Sequence, residues 1–167
     1  MFLVIDSCIR ENNSRTRKLY LDYLKETKED YEVVYLTKMP IKPLTKEDIL
    51  KRDELINSNK LDDKMFDLAN QFKNAEKIII AAPYYDLSFP SLLKVYFENI
   101  SVLNINFSYT NDGKLVGLAK AKELLYFSTI GGFIYGKHLG FEYVKALANM
   151  FGINNVKNIY KEGLDIK

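Results

Sequence analysis

The sequence predicts a three-layer α/β sandwich with a parallel sheet at its centre, and three observations predict it. Short apolar runs alternate along the chain with stretches of helical spacing, which implies parallel strands joined by right-handed helical crossovers. The strongest run, Lys77 to Ala82, carries Ile78-Ile79-Ile80 without polar alternation, as expected of a central strand covered on both faces. The length of 167 residues suits one domain spanning 1–167, and hydrophobic and charged fractions of 47% and 28% are ordinary for a globular chain.

Phe2 to Ile5 is too short for a helix and rich in β-favouring residues, so it reads as the first strand, ending at Asp6-Ser7. A polar loop follows, and Asn13 or Ser14 is a good cap for a helix carrying Leu19, Tyr20, Tyr23 and Leu24. Tyr31 to Leu36 supplies the second strand. Pro40 and Pro43 keep the next stretch irregular, and amphipathic patterns then cover about Thr45–Asn57 and Leu61–Phe72. Beyond the Ile78 strand come a helix over Ser91–Ile100, a fourth strand over Glu123–Thr129, a helix over His138–Phe151 and a fifth strand over Val156–Tyr160. His138, at a helix start beyond the Gly131-Gly132 loop, is expected in solvent.

Charge and composition exclude several functions. The 24 basic and 22 acidic residues leave a net charge of +2, with the signs interspersed, which argues against nucleic acid as a partner. One cysteine and one histidine allow neither an internal disulfide nor a Cys/His metal cluster, so no metal is expected. The longest apolar run falls far short of the roughly 20 residues a membrane span needs, so no membrane partner is expected. With Cys8 unpaired, the expected compartment is the cytoplasm.

Open parallel sheets bind ligands outside the carboxyl ends of their strands, where strand order reverses. Three loops belong there: Ser7 to Thr16, Pro83 to Phe89 and Thr129 to Tyr135. The first opens a helix and is rich in hydroxyl, amide and guanidinium groups, which suits an anion, since helix N-termini present free N–H groups and a positive dipole end. It matches neither G-x-x-x-x-G-K-[ST] nor G-x-G-x-x-G, so the nucleoside triphosphate and dinucleotide fingerprints are missing. The second loop puts Tyr84 and Tyr85 directly after the central strand, where a flat ring can stack. The third has two glycines, which admit close approach of main chain. Together the loops suit a ligand with a phosphate tail and a planar polar head.

Residues Ala81-Ala82-Pro83-Tyr84-Tyr85-Asp86-Leu87-Ser88-Phe89-Pro90-Ser91-Leu92-Leu93-Lys94 resemble the signature of FMN-dependent NADH:quinone oxidoreductases of the azoreductase type. A second block, Phe107-Ser108-Tyr109-Thr110-Asn111-Asp112-Gly113 with Gly117-Leu118 and Lys120, is similar to that family's segment before its fourth strand. Thr129-Ile130-Gly131-Gly132, Phe151-Gly152-Ile153 and Glu162-Gly163 follow its later pattern. The resemblance covers nearly the whole chain. It implies a flavodoxin-like sandwich with strand order 2-1-3-4-5, and FMN as cofactor with NADH or NADPH as hydride donor. It also implies a homodimer acting on a small aromatic acceptor, a quinone or azo compound, by ping-pong kinetics.

Carried over residue by residue, the resemblance assigns Ser7, Ser14, Arg15 and Thr16 to the FMN phosphate. Pro83, Tyr84, Tyr85, Asp86 and Leu87 would frame the isoalloxazine, and Thr129, Ile130, Gly131 and Gly132 would close its pyrimidine side. Phe107, Tyr109 and Tyr135 are the substrate candidates. No catalytic side chain is assigned, because the flavin carries the chemistry. Departures are Thr129-Ile130 where relatives often have Ser-Arg, and Asp86 where they often have Asn, a carboxylate that would disfavour an anionic reduced flavin. Two alternatives stand beside this reading. One is a flavodoxin-type electron carrier, which the charge of +2 fits poorly. The other is a low-molecular-weight phosphatase using Cys8, whose spacing to Arg15 is C-x6-R rather than C-x5-R.

Overall fold

The computed structural model describes residues 1–167 and contains seven strands and five α-helices. In chain order these are β1 (Phe2–Asp6), α1 (Arg15–Thr27), β2 (Tyr31–Tyr35), α2 (Lys46–Asn57), α3 (Asp67–Asn74), β3 (Lys77–Ala81) and α4 (Ser91–Ile100). They continue with β4 (Phe107–Tyr109), β5 (Leu115–Gly117), β6 (Glu123–Thr129), α5 (Leu139–Met150) and β7 (Val156–Lys161). Five strands form one parallel sheet in the order β2-β1-β3-β6-β7. Counting only these sheet strands, this is the expected order 2-1-3-4-5. Strand order reverses between β1 and β3, the position that opens a crevice at the carboxyl edge.

Both faces of the sheet are covered, which explains the lack of polar alternation in β3. Ile78 and Ile80 point into the larger core with Leu55 of α2, Phe72 of α3, Tyr96 and Phe97 of α4, and Val144 of α5. Ile79 points the other way, into a cluster with Val4, Leu125, Phe127 and the α1 residues Tyr20 and Leu24. Ser14 caps α1, its hydroxyl accepting from the Arg17 N–H at 3.2 Å, a contact worth about 1 kcal/mol.

The short pair β4 and β5 was not expected. Its antiparallel strands make a separate hairpin, with Ser108 opposite Val116 and Leu115 and Val116 exposed. Three-residue strands with exposed apolar residues leave no period-2 signature to read. Leu61–Phe72 also differs from expectation: it is a 3-10 turn at Lys64–Phe66 followed by α3. No helix is long and apolar enough to cross a membrane.

Candidate cofactor site

The three carboxyl-edge loops are stitched together by hydrogen bonds. Ser7 of the first loop donates both its N–H and its hydroxyl to the Ala81 carbonyl at the end of β3, at 3.0 and 2.9 Å. The Tyr84 N–H of the second loop donates to the Thr129 carbonyl at 3.2 Å. The hydroxyls of Thr16 and Thr129 meet at 2.6 Å in a buried contact, tying the first helix to the third loop.

Between the loops lies an open cavity of about 160 Å³, lined by Arg10, Asn13, Ser14, Arg15, Pro83, Tyr84, Tyr85, Thr129, Gly131 and Asp165. Of the expected cofactor residues, Ser14, Arg15, Pro83, Tyr84, Tyr85, Thr129 and Gly131 thus border one space. Ser7 and Thr16 are fully buried and lie behind it, committed to the ties between loops. Ile130 is buried, its N–H donating to the Lys161 carbonyl. Asp86, Leu87 and Gly132 are exposed and outside the lining, as are Tyr109 on the β4–β5 hairpin and Tyr135, which is 92% exposed; Phe107, on the same hairpin and also outside the lining, is half-buried against the core.

Free donors occur in the first two of these loops. The N–H groups of Arg15 and Thr16, in the first turn of α1, find no acceptor in the chain. Those of Asp86 and Leu87 are also unpaired, at the tip of a tight turn closed by reciprocal Tyr85 and Ser88 backbone bonds of 3.2 and 2.8 Å. Both tip residues have positive φ, 50° and 66°. A non-glycine pair in this region is strained, and such strain concentrates where a loop has a ligand to meet.

Beneath the first loop, the fully buried Asp6 carboxylate accepts from the Arg17 Nε at 2.7 Å, the Tyr20 hydroxyl at 2.9 Å and the Cys8 N–H at 2.8 Å. The Arg17 guanidinium lies 4.8 Å from the Tyr35 ring centroid. Sequence reasoning named Asp6 only as a strand end. Nothing in the local pattern marks a pair separated by eleven positions as partners.

Burial, reinforced by the Asp6 charge, pushes the Cys8 thiol well above its ordinary value. A nucleophilic cysteine needs the opposite, a depressed value and exposure. This removes the physical basis of the phosphatase alternative.

His138 corrects an expectation: it is 6% exposed, not solvated. Its Nδ1 caps α5 by accepting from the Phe141 N–H at 3.2 Å, and its ring stands edge-on to Tyr84 at 5.0 Å. Burial lowers its pKa. The imidazole therefore supports the back of Tyr84 as a neutral ring.

Comparison with known proteins agrees with this architecture. Residues 2–167 match the family model described as flavodoxin-like fold. An FMN-dependent NADH:quinone oxidoreductase from Clostridium beijerinckii is 34% identical, the alignment covering 94% of this chain and 82% of that protein. Another of the same name from Haemophilus influenzae is 32% identical over 97% of this chain and 85% of its own. Among solved structures, an azoreductase from Bacillus anthracis str. Sterne superposes with a TM-score of 0.83 at 22% identity, covering 98% of this chain and 86% of that one. An FMN-dependent NADH-azoreductase from Bacillus anthracis str. Ames Ancestor in complex with FMN gives 0.82 at 24% identity, covering 99% and 88%. The structural likenesses speak for the fold and the sequence relatives for the family. The chain belongs to the flavodoxin-like fold family, and within it to the family these FMN-dependent NADH:quinone oxidoreductases represent.

Proposed function

We propose that this chain is an FMN-dependent NAD(P)H oxidoreductase that reduces quinones or azo compounds by ping-pong hydride transfer. One observation carries the reading: three loops bonded to one another surround a cavity with an anion-binding end and an aromatic side. The residues fit the cofactor. The unpaired N–H groups of Arg15 and Thr16, with the guanidinium groups of Arg10 and Arg15, suit a phosphate. Tyr84 and Tyr85 suit a stacked ring, and the free N–H groups at Asp86 and Leu87 suit its polar edge.

Bound FMN supplies a two-electron carrier that takes hydride from a nicotinamide and passes it to an acceptor. The chain holds and orients. Pro83 and the Thr129 carbonyl fix the direction of the Tyr84 backbone, while His138 backs its ring. Donor and acceptor use the same open face in turn, which gives parallel lines in a double-reciprocal analysis. Phe107, Tyr109 and Tyr135 are the proposed substrate contacts. The proposed active form is a homodimer in which a second copy covers these side chains, a reading supported by the 57% and 92% exposure of Tyr109 and Tyr135 in one copy. The whole chain acts as one domain, and its single unpaired cysteine suits the cytoplasm.

The test is spectroscopic. Purified protein incubated with FMN is expected to retain yellow flavin through gel filtration, eluting as a dimer. The flavin bands are expected to bleach anaerobically with NADH or NADPH and to return on addition of a quinone or azo dye. Failure to take up FMN at micromolar concentration overturns the proposal. Bleaching only in the presence of a separate reductase would make the chain an electron carrier instead.

A further inference from the structure

The cavity holds an acid of its own. Asp165, in the segment after β7, is the one carboxylate among the lining residues. Its Oδ1 accepts from Arg15 Nη1 at 2.7 Å and its Oδ2 from Arg15 Nη2 at 3.4 Å, a two-pronged pairing across 150 positions of sequence. The same Arg15 Nη1 donates to the Leu164 carbonyl at 3.2 Å. The segment is pinned from the other side as well. The Asp165 N–H donates to the Gly131 carbonyl at 2.8 Å, and the Gly163 N–H to the Gly132 carbonyl at 2.6 Å. A Cβ on Gly131 would lie 2.1 Å from the Asp165 Oδ2, so the glycine leaves space for this carboxylate rather than for a ligand ring. Arg15 holds the Asp165 carboxyl below its usual range, so it is ionised at any neutral pH.

We infer that Asp165 is an affinity-setting residue for the flavin phosphate, an internal anion that engages Arg15 until the cofactor's phosphate takes over that guanidinium. The inference rests on the FMN reading above. A phosphate monoester carries nearly two negative charges at neutral pH. Entering beside the unpaired Arg15 and Thr16 N–H groups, it meets a helix N-terminus and two arginines that attract it, and one carboxylate that repels it. Repulsion of like charge weakens phosphate binding and leaves the ring contacts untouched. Asp165 thus makes FMN an exchangeable cofactor and concentrates its effect on the phosphorylated form. Its side chain is exposed, so its replacement leaves the core intact.

The experiment is a titration of flavin-free wild type and Asp165→Asn with FMN and with riboflavin, read by quenching of flavin fluorescence. Asp165→Asn is expected to bind FMN about tenfold more tightly, the size expected for removing one like charge near a dianion at a partly exposed site. Riboflavin, which has no phosphate, is expected to bind both proteins equally. An unchanged or weaker FMN affinity in the variant overturns the inference, as does equal tightening for both flavins. If neither protein binds FMN, the flavin reading fails and the inference falls with it.

Discussion

Gly117 and Gly152 meet backbone to backbone: a Cβ on Gly117 would lie 2.0 Å from the Gly152 nitrogen and 2.1 Å from the Phe151 carbonyl carbon. The adjacent Ala119 N–H donates to the Phe151 carbonyl at 3.0 Å, so this contact docks the β4–β5 hairpin on the end of α5. Gly152 also has a φ of +91°, which disfavours any side chain there. Since the obstruction is main chain, it cannot swing aside. Gly117→Ala is expected to destabilise the protein by about 3 kcal/mol or more, read from urea unfolding. Gly113→Ala, with nothing within 4 Å of its added Cβ, is expected to cost about 1 kcal/mol for its positive φ alone. Equal effects would remove the close approach as the cause.

Asp6→Asn replaces a buried carboxylate that satisfies three donors and leaves the Arg17 guanidinium buried without its counter-ion. Loss of one partner from such a pair typically costs about 3–5 kcal/mol. Denaturant midpoints of the variant and wild type check this. A shift under about 1 kcal/mol, the size of an exposed pair, would show that the cluster is hydrated in solution.

Thr129→Val keeps volume and removes the hydroxyl that meets Thr16 at 2.6 Å. The Thr16 hydroxyl is then buried without its partner, at a cost of about 1–2 kcal/mol. Because that bond ties the first helix to the third loop, FMN affinity is expected to fall severalfold along with stability. A variant with the stability loss and unaltered FMN affinity would show that the tie does not position the site.

His138 is the only histidine in the chain, and burial holds its folded pKa below the ordinary 6.5. Between those two values the unfolded chain binds a proton that the folded chain refuses. Stability is therefore full above about pH 6.5 and declines as pH falls toward the lowered folded value. His138→Asn retains a capping oxygen for the Phe141 N–H but does not titrate. The drop in melting temperature between pH 7.5 and pH 5.5 is expected to be smaller in the variant than in wild type. An identical drop would assign the acid sensitivity to carboxylates.

Legibility in the sequence followed how local each signal is. Ile78-Ile79-Ile80 announced a strand buried on both faces because that burial leaves a continuous apolar run, and Ser14 announced a helix start because the cap lies within one turn. The three loops were locatable from the strand ends alone, and seven of the proposed cofactor residues line one cavity. Long-range relations left no local mark. The Arg15–Asp165 pair spans nearly the full chain, and the Gly117–Gly152 contact joins two segments far apart in sequence, with nothing local to mark either glycine as the other's partner. His138 misled because a histidine at a helix start resembles a solvated cap. The rings of Tyr84, Tyr126 and Tyr160 that enclose it come from three different segments.

The sealed position of Cys8 has a consequence for endurance. Oxidants damage thiols that are ionised and reachable. The sole thiol here is neither, lying at 0% exposure behind the loop it helps to shape, with its proton held tightly by its surroundings. A catalyst that trades electrons with reactive acceptors thereby has no soft sulfur on its working face to be alkylated or overoxidised.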